Sequence, residues 1–234
     1  MDARICRLDP QRLDRTTTEA LYDFHSGFVQ RSRDSFEYGL RRSHELWLLA
    51  AGQRDVRGFA ALEYVPVHHE GREHLAIYTR WAFVEETHRR QGFVQRVGVW
   101  AWLRARLRRP TRPVYWVFTA STLDSYLHML KTSQSAYPNR RAPTPPHVEA
   151  ILRRTHEVLG TEGWDAEAGV VRRSGEVRYL TGIAREEQDD PDASFYRARN
   201  PHQARGDSLG CIAVADLTNL SVYARRALRR ARPS

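Results

Sequence analysis

The chain has 234 residues, of which 41% are hydrophobic and 10% aromatic, so it is long and apolar enough for a globular core and is not a disordered segment. Its formal net charge of +9 excludes an acidic protein and favours acidic partners: nucleic acid, an acidic carrier protein or a phosphate-bearing cofactor. The two cysteines, Cys6 and Cys211, lie near opposite ends of the chain, which argues against a disulfide framework and against a zinc site.

Residues 1–15 are charged and lack the apolar segment of a secretory signal peptide. No apolar run approaches the ~20 residues that a membrane-spanning helix needs. Together with the sparse cysteines, these features predict a cytoplasmic protein without a membrane span.

Apolar periodicity and turn residues predict the elements of the first part of the chain. In order they are a strand at 3–8, a helical pattern at 19–36, and strands at 44–52, 56–71 and 74–84. The last three strands follow one another closely, with a turn at 70–72, so they predict an antiparallel meander.

The second part begins with a turn around Gly92 and continues as alternating helices and strands. The predicted elements are a helix ending near Arg109, a strand at 114–121, a helix at 122–138, a helix at 147–160, a polar loop at 186–195, a strand at 208–216 and a basic terminal helix or tail at 220–234. The strand at 208–216 has no neighbour in sequence with which to pair, so we expect it to join the main sheet.

This order predicts an α/β fold with a mixed, mostly antiparallel central sheet and flanking helices, followed by a C-terminal extension. The rigid connector "NRRAPTPP" suggests a division into a core at 1–138 and an extension at 139–234 that packs on the core as one compact unit.

The turn "HRRQGFV" carries the strongest functional signal, because one glycine stands between a strand and a helix behind two arginines. The first turn of a helix offers free N–H groups and the positive end of the helix dipole, and a glycine lets a phosphate approach the backbone. The alternative is that Gly92 only relieves a tight turn, since a single glycine in such a turn is a weak motif.

The meander, this turn, and the helix, strand and helix after it resemble the GNAT superfamily of N-acyltransferases, whose pyrophosphate loop has the pattern Q/R-x-x-G-x-G/A. Arg89 fills the first place and Gly92 the first glycine, while Val94 and Arg90 depart from the pattern. The resemblance covers residues 5–138, mainly through element order. It implies an N-acyltransferase that takes acyl-CoA or acetyl-CoA as co-substrate, with no metal.

The resemblance also implies which residues hold the donor. The pyrophosphate would contact the segment from Arg89 to Gln95. The thioester oxygen would accept hydrogen bonds from backbone N–H groups of a strand bulge at Phe83 and Val84. The donor-binding residues implied are Phe83, Val84, Arg89, Arg90, Gln91, Gly92, Phe93, Val94 and Gln95.

An amine must lose a proton before it attacks, so some group must accept that proton. Tyr78 occupies a position where some family members carry a catalytic glutamate, yet it is no carboxylate. The alternative is that Tyr78 and Arg80 simply face solvent. Glu63 on the preceding strand and a water relayed through His74 are the alternatives.

The resemblance implies an acid that protonates the departing thiolate from the helix after the next strand. Tyr126 is the first choice and His128 the second, although a lone tyrosine on a helix is more often a core residue. The histidines of "HHEGREH" predict a solvated hairpin and not a metal site.

Two other functions fit the sequence. The donor could be a thioester on an acidic acyl carrier protein, which lacks the CoA nucleotide and would tolerate Val94. Alternatively, the chain could be an inactive GNAT-like protein that binds nucleic acid or another acidic partner, although the basic tail has little aromatic content for nucleic acid. The expected acceptor is an amine on a small molecule, peptide or protein, and residues 196–207 are expected to supply polar groups to its site.

Overall fold

The fold was obtained as a computed structural model, which describes residues 3–52, 55–173, 178–179 and 190–216, with backbone only at Arg90 and at 178–179. The predicted tail at 220–234 lies outside the described residues. Among the residues described, no helix is both long and apolar enough to cross a bilayer.

The described residues contain eleven strands. They are β1 Arg4–Leu8, β2 Val29–Gln30, β3 Glu45–Ala50, β4 Val56–His69, β5 Arg72–Val84, β6 Val114–Ala120, β7 Ala136–Tyr137, β8 Trp164–Asp165, β9 Val170–Val171, β10 Arg178–Tyr179 and β11 Ser208–Val214.

The α-helices of the same residues are α1 Arg15–Ser26, α2 Arg33–Arg42, α3 Phe93–Arg108, α4 Leu123–Thr132, α5 Pro146–Leu159 and α6 Pro191–Arg199. Short 3-10 helices occur at Pro10–Arg12, Glu86–Gln91 and Gln203–Arg205.

The main sheet has the strand order β1-β3-β4-β5-β6-β11-β9-β8, and β7 adds to β11. Only β5 and β6 pair in parallel among these described strands, because α3 carries the chain across the sheet between them. The predicted class, a mixed and mostly antiparallel sheet flanked by helices, is confirmed, as is the predicted order of meander, turn, helix, strand and helix.

The late strand joins the main sheet as predicted. β11 pairs with β6 from Leu209 opposite Ala120 to Val214 opposite Tyr115. The extension therefore contributes a strand in the interior of the sheet, while the division of the chain at residue 138 remains a prediction.

The helical prediction for 19–36 is wrong in one respect, because two helices occupy the region. Gly27 ends α1, and the side chain of Ser32 caps α2 by accepting a hydrogen bond from the Ser35 N–H at 3.3 Å. Between them β2 pairs with β10, which comes from the extension. The polar loop predicted at 186–195 is wrong from residue 191 onward, where α6 begins with Asp190 as its N-cap.

The helices cover both faces of the sheet. One face carries α3, which packs on Leu62, Leu75 and Ile77 in a core that also holds Phe93 and Val97. The opposite face carries two further groups of helices. There α1 and α2 pack around Phe59 and Trp81, and α5 packs on Val65, Ala76, Tyr78 and Ile212.

Candidate active site

The centre of the sheet contains a fork, where β5 and β6 separate. Their parallel pairing runs from Leu75 opposite Val114 to Thr79 opposite Phe118 and then ends. Beyond that point β5 continues to Val84 alongside β4, while β6 continues to Ala120 alongside β11. A wedge therefore opens between two neighbouring strands, and it points toward the beginning of α3.

The edge of β5 that lines the fork presents backbone N–H groups. The Glu85 N–H donates to Arg57 O at 2.8 Å, and Phe83 lies opposite Phe59, so these residues direct their amides toward β4. Alternate residues of an antiparallel strand direct their N–H groups to opposite sides. Ala82 and Val84 therefore direct theirs into the fork.

The strand bulge lies at Arg80 and not at Phe83 and Val84 as expected. The β4–β5 register shifts between Ala61 opposite Trp81 and Leu62 opposite Thr79, which leaves Arg80 as the extra residue. A bulge reverses the alternation of side chains. Thus Ile77 packs under α3 while Trp81 packs under α2, although the unbroken alternation of the sequence puts both on one face.

Gly92 forms the turn between the fork and α3. Its φ of 77° lies in the left-handed region, which residues with a Cβ rarely adopt, so the backbone requires a glycine here. A Cβ would meet only Gln95 Oε1 at 3.9 Å, so the space above the turn is open. The first intrahelical bond runs from Arg96 N–H to Gly92 O at 2.9 Å, which leaves the amides of residues 93–95 at the free end of the helix.

The predicted donor-binding residues fall into two groups around this turn. Arg89 is exposed, and its Nε donates to Val84 O at 3.2 Å, which ties the turn to the edge of the fork. Gln91 is also exposed, whereas the Phe93 side chain is 2% exposed and serves the core. Val94 packs partly against the same core, so its branched side chain fills space beneath the helix and its N–H remains at the helix end.

His128 lies next to this helix end. Its Nε2 is 3.2 Å from Gln95 Nε2, and Gln95 is buried while the imidazole is exposed. Both residues therefore belong to the α3 side of the fork, where a phosphate-bearing group would enter. A titratable, exposed side chain at this position can give up a proton.

Tyr126 lies elsewhere. Its side chain is fully buried against Tyr196 and Phe195, and its hydroxyl donates to Pro138 O at 3.1 Å. Burial raises the pKa of this hydroxyl. A phenol that is enclosed and already donates to a carbonyl is a core residue of the interface between α4 and α6, so the geometry favours His128 over the first choice made from sequence.

Tyr78, Glu63 and Arg80 lie together at the base of the fork, on the sheet face opposite α3. Glu63 pairs with Tyr78 across the strands and is 3% exposed. Arg80 Nε donates to Glu63 Oε1 at 2.6 Å, and a second guanidinium nitrogen contacts the same oxygen. Burial raises the pKa of Tyr78, so its phenol stays protonated at neutral pH.

The structure adds residues to this group that the sequence did not single out. The charge of Arg173 and the side chain of Thr119 lower the pKa of Tyr78 against the larger effect of burial, and the His156 ring packs against the Tyr78 ring with centroids 5.9 Å apart. Burial lowers the pKa of His156 to about 3, so that ring is neutral. No motif marked these residues, because they come together only in the folded chain. Thr119 approaches Tyr78 through the pairing of β6 with β5, and His156 through the packing of α5 on the sheet.

His74 is excluded as a relay. It lies at the opposite end of β5 from Val84, about 30 Å away at the rise of a strand, and its ring neighbours are His69 and Tyr115.

A separate cavity of about 450 Å³ is lined mainly by residues of the extension. Pro138, Pro146, Arg153 and Arg199 are among its lining residues, and Trp164 forms one wall. Trp164 stacks on His156, with ring centroids 4.0 Å apart, and His156 in turn contacts Tyr78. Two aromatic rings thus separate this cavity from the fork, so the candidate chemistry belongs to the fork and not to the cavity.

The polar segment 196–207 supports the end of β6. Tyr196 donates to Ala120 O at 3.1 Å, Gln203 donates to Ser121 O at 3.3 Å, and the buried Asn200 donates to Asp207 O at 3.0 Å. These contacts fix the junction of β6 and α4, so this segment supports the position of α4 beside the fork. The expectation that it supplies acceptor contacts remains a prediction.

No protein-family model matches the sequence, and no curated protein matches it. Similar solved structures include an aminoglycoside acetyltransferase from an uncultured soil metagenomic sample, at 14% identity over 54% of this chain and 82% of that chain, with a TM-score of 0.37. A ribosomal-protein-alanine N-acetyltransferase from Brucella melitensis is 16% identical over 50% of this chain and 78% of that chain, with a TM-score of 0.35. An acetyltransferase from Trypanosoma brucei is 14% identical over 60% of this chain and 98% of that chain, with a TM-score of 0.40.

Proposed function

We propose that this protein is a GNAT-type N-acyltransferase that moves an acyl group from a pantetheine thioester to an amine. The observation that carries the proposal is the fork between β5 and β6, which opens directly toward the Gly92 turn. An extended pantetheine arm would fit the fork, because its amides can pair with a strand edge while its phosphate meets the end of α3.

The donor is held at two points in this proposal. The amides of residues 93–95 and the exposed Arg89 bind the phosphate of acyl-CoA, and the edge of β5 orients the arm. The thioester oxygen then lies against the N–H of Ala82 or Val84, which is aimed into the fork before the substrate arrives. Such an amide stabilises the negative charge that develops on the oxygen in the transition state.

The acceptor approaches from the opposite sheet face, past Glu63 and Tyr78. Both guanidinium contacts of Arg80 go to Glu63 Oε1, so Oε2 keeps capacity to accept the proton of the amine through water. The nitrogen forms its bond to the acyl carbon as the carbon–sulfur bond breaks. His128 gives a proton to the departing sulfur, and the products are an amide and a free thiol.

A ligand-binding measurement tests this function before the acceptor is known. A ligand at ~100 times its Kd adds about 2.7 kcal/mol to the free energy of unfolding, so CoA and short acyl-CoAs should raise the Tm while ADP raises it less. Release of free thiol from acetyl-CoA in the presence of a panel of amines then identifies the acceptor class. The proposal fails if neither a CoA derivative at millimolar concentration nor a carrier-bound acyl thioester binds, and if no amine promotes thiol release from either donor.

A further inference from the structure

The outer face of α3 exposes an apolar stripe. The exposed fractions are 55% for Trp100, 38% for Leu103 and 82% for Leu107. Their spacing of three and four residues places them on one side of the helix, and Arg96 extends the same side toward Gly92. The other sides of α3 pack on the sheet, so this stripe is the part of the helix that the described fold leaves uncovered.

The charge of α3 has one sign. Its 16 residues include four arginines and no aspartate or glutamate. Two of the arginines are engaged, since Arg104 pairs with Glu45 at 2.8 Å and Arg106 donates to Pro110 O at 2.7 Å. Arg96, Arg108 and the neighbouring Arg109 are exposed and form no salt bridge in the part of the chain that the structure describes. The stripe is thus apolar along its middle and basic at both ends.

The stripe begins beside the proposed phosphate site. Trp100 lies about 12 Å along the helix axis from Gly92, at about 1.5 Å per residue. A macromolecule that docks on the stripe would therefore hold a phosphate-bearing arm close to the Gly92 turn.

We propose that this face of α3 docks an acidic carrier protein that presents the acyl group on a phosphopantetheine arm. The inference rests on the proposed function and names the partner that supplies its donor. An acidic partner with an apolar patch complements the stripe, and its charge would steer the encounter. The transfer remains balanced, since the acyl carbon leaves the arm sulfur for the amine nitrogen and the sulfur takes up one proton.

Charge also decides against two other occupants. In a twofold-symmetric dimer the same face would meet itself, and its unpaired arginines would repel one another. The C-terminal sequence of this chain is basic as well, with five arginines between 225 and 232, so its charge does not complement that of the stripe. An anionic membrane surface is a further occupant that charge would allow, and binding to phosphatidylserine vesicles distinguishes it from the carrier.

The test compares two donors, and it compares variants of the α3 stripe with a control variant on α5. The probes are acetyl-CoA and a purified acidic acyl carrier protein that carries an acetylated phosphopantetheine. Trp100→Glu and Leu107→Glu disrupt the stripe, Leu107→Ser shortens it without adding charge, and Val158→Glu, at a position 59% exposed on α5, is the matched control. Binding of the labelled carrier is followed by fluorescence anisotropy, and transfer is followed by thiol release.

We expect the stripe variants to weaken carrier binding about 10-fold or more, with acetyl-CoA binding unchanged, and Val158→Glu to leave both unchanged. Carrier binding should also weaken as salt rises from ~50 to ~300 mM, since surface charges are screened over ~8–10 Å. The docking proposal is overturned if acetyl-CoA binds and the carrier does not, or if stripe and control variants bind the carrier equally well. It is also overturned if the stripe variants lose binding to anionic phosphatidylserine vesicles alone. If neither donor binds, the proposed function fails as well.

Discussion

His128 and Tyr126 lie two residues apart on α4 but in opposite environments, so substitutions at these positions distinguish the proposed acid role from packing. We predict that His128→Ala lowers kcat about 10²-fold and leaves the Kd for acetyl-CoA nearly unchanged, because the imidazole acts on the departing sulfur. Tyr126→Phe should lower the free energy of unfolding by about 1 kcal/mol, through loss of the hydrogen bond to Pro138 O, and keep kcat. The opposite pattern would return the acid role to Tyr126.

His25 is buried in an aromatic cluster and predicts an acid-sensitive fold. Its ring lies 4.8 Å from that of Phe36 and 5.5 Å from that of Trp81, and burial, with the charge of Arg31, lowers its pKa to about 4. Between pH 6.5 and 4 the unfolded chain binds a proton here and the folded chain does not. Stability is therefore complete above pH 6.5 and falls as the pH drops toward 4, by roughly 3 kcal/mol.

We predict that His25→Phe flattens this part of the profile of unfolding free energy against pH. His147, which is exposed on α5, is the matched control, and His147→Phe should follow the wild-type profile. Chemical denaturation at pH 7, 6, 5 and 4 measures the difference. Parallel profiles for His25→Phe and wild type would assign the acid sensitivity to other groups.

At the scale of the element, two substitutions in the Gly92 turn distinguish the effect of backbone strain from the effect of ligand contact. Gly92→Ala strains the left-handed turn by about 1 kcal/mol, but its Cβ meets only Gln95 Oε1 at an ordinary contact distance of 3.9 Å, so it should retain donor binding. Gly92→Glu carries the same strain and adds a negative charge at the phosphate site. We therefore predict that Gly92→Glu weakens the Kd for CoA about 10-fold or more relative to Gly92→Ala, as measured by calorimetry. Equal affinities would place the phosphate elsewhere.

The strands and helices around the site could be predicted from sequence because most of their apolar periods are regular, as in the run that became α5. The bulge at Arg80 could not, since one extra residue in β5 depends on its pairing with β4 and leaves no mark in composition. Once the alternation is reversed at Arg80, the direction of every later side chain in β5 changes, which is why an unbroken alternation places Trp81 on the wrong face.

The role of Tyr126 was hidden from the sequence for a related reason. Its burial comes from Tyr196 and Phe195 on α6, some seventy residues later, in a segment that reads as a polar loop. The Gly92 turn was predictable because two local signals coincide there: a glycine at the strand-to-helix turn and two arginines just before it. Residues such as Arg173 and Thr119 meet Tyr78 only through long-range pairing.

For the whole molecule, β11 makes the core and the extension interdependent. Ile212 is fully buried between β6, β7 and α5, so Ile212→Ala should lower the free energy of unfolding by about 2–5 kcal/mol. We predict that the core and the extension lose structure in one transition, seen together by tryptophan fluorescence and far-UV circular dichroism. Two separated transitions, or a soluble and folded fragment 1–138, would show that the core is independent.

The fork leaves the sheet incomplete at its centre, and solvent exchange can detect this. Amides that are paired in a sheet interior exchange their hydrogens slowly. Those of Ala82 and Val84 face the open wedge and have no partner on that side among the strands that the structure describes. We expect these two amides to exchange quickly in the free protein and to be protected once a donor arm lies beside them. The donor would then act as the missing strand, and its departure with the free thiol would reopen the sheet in every catalytic cycle.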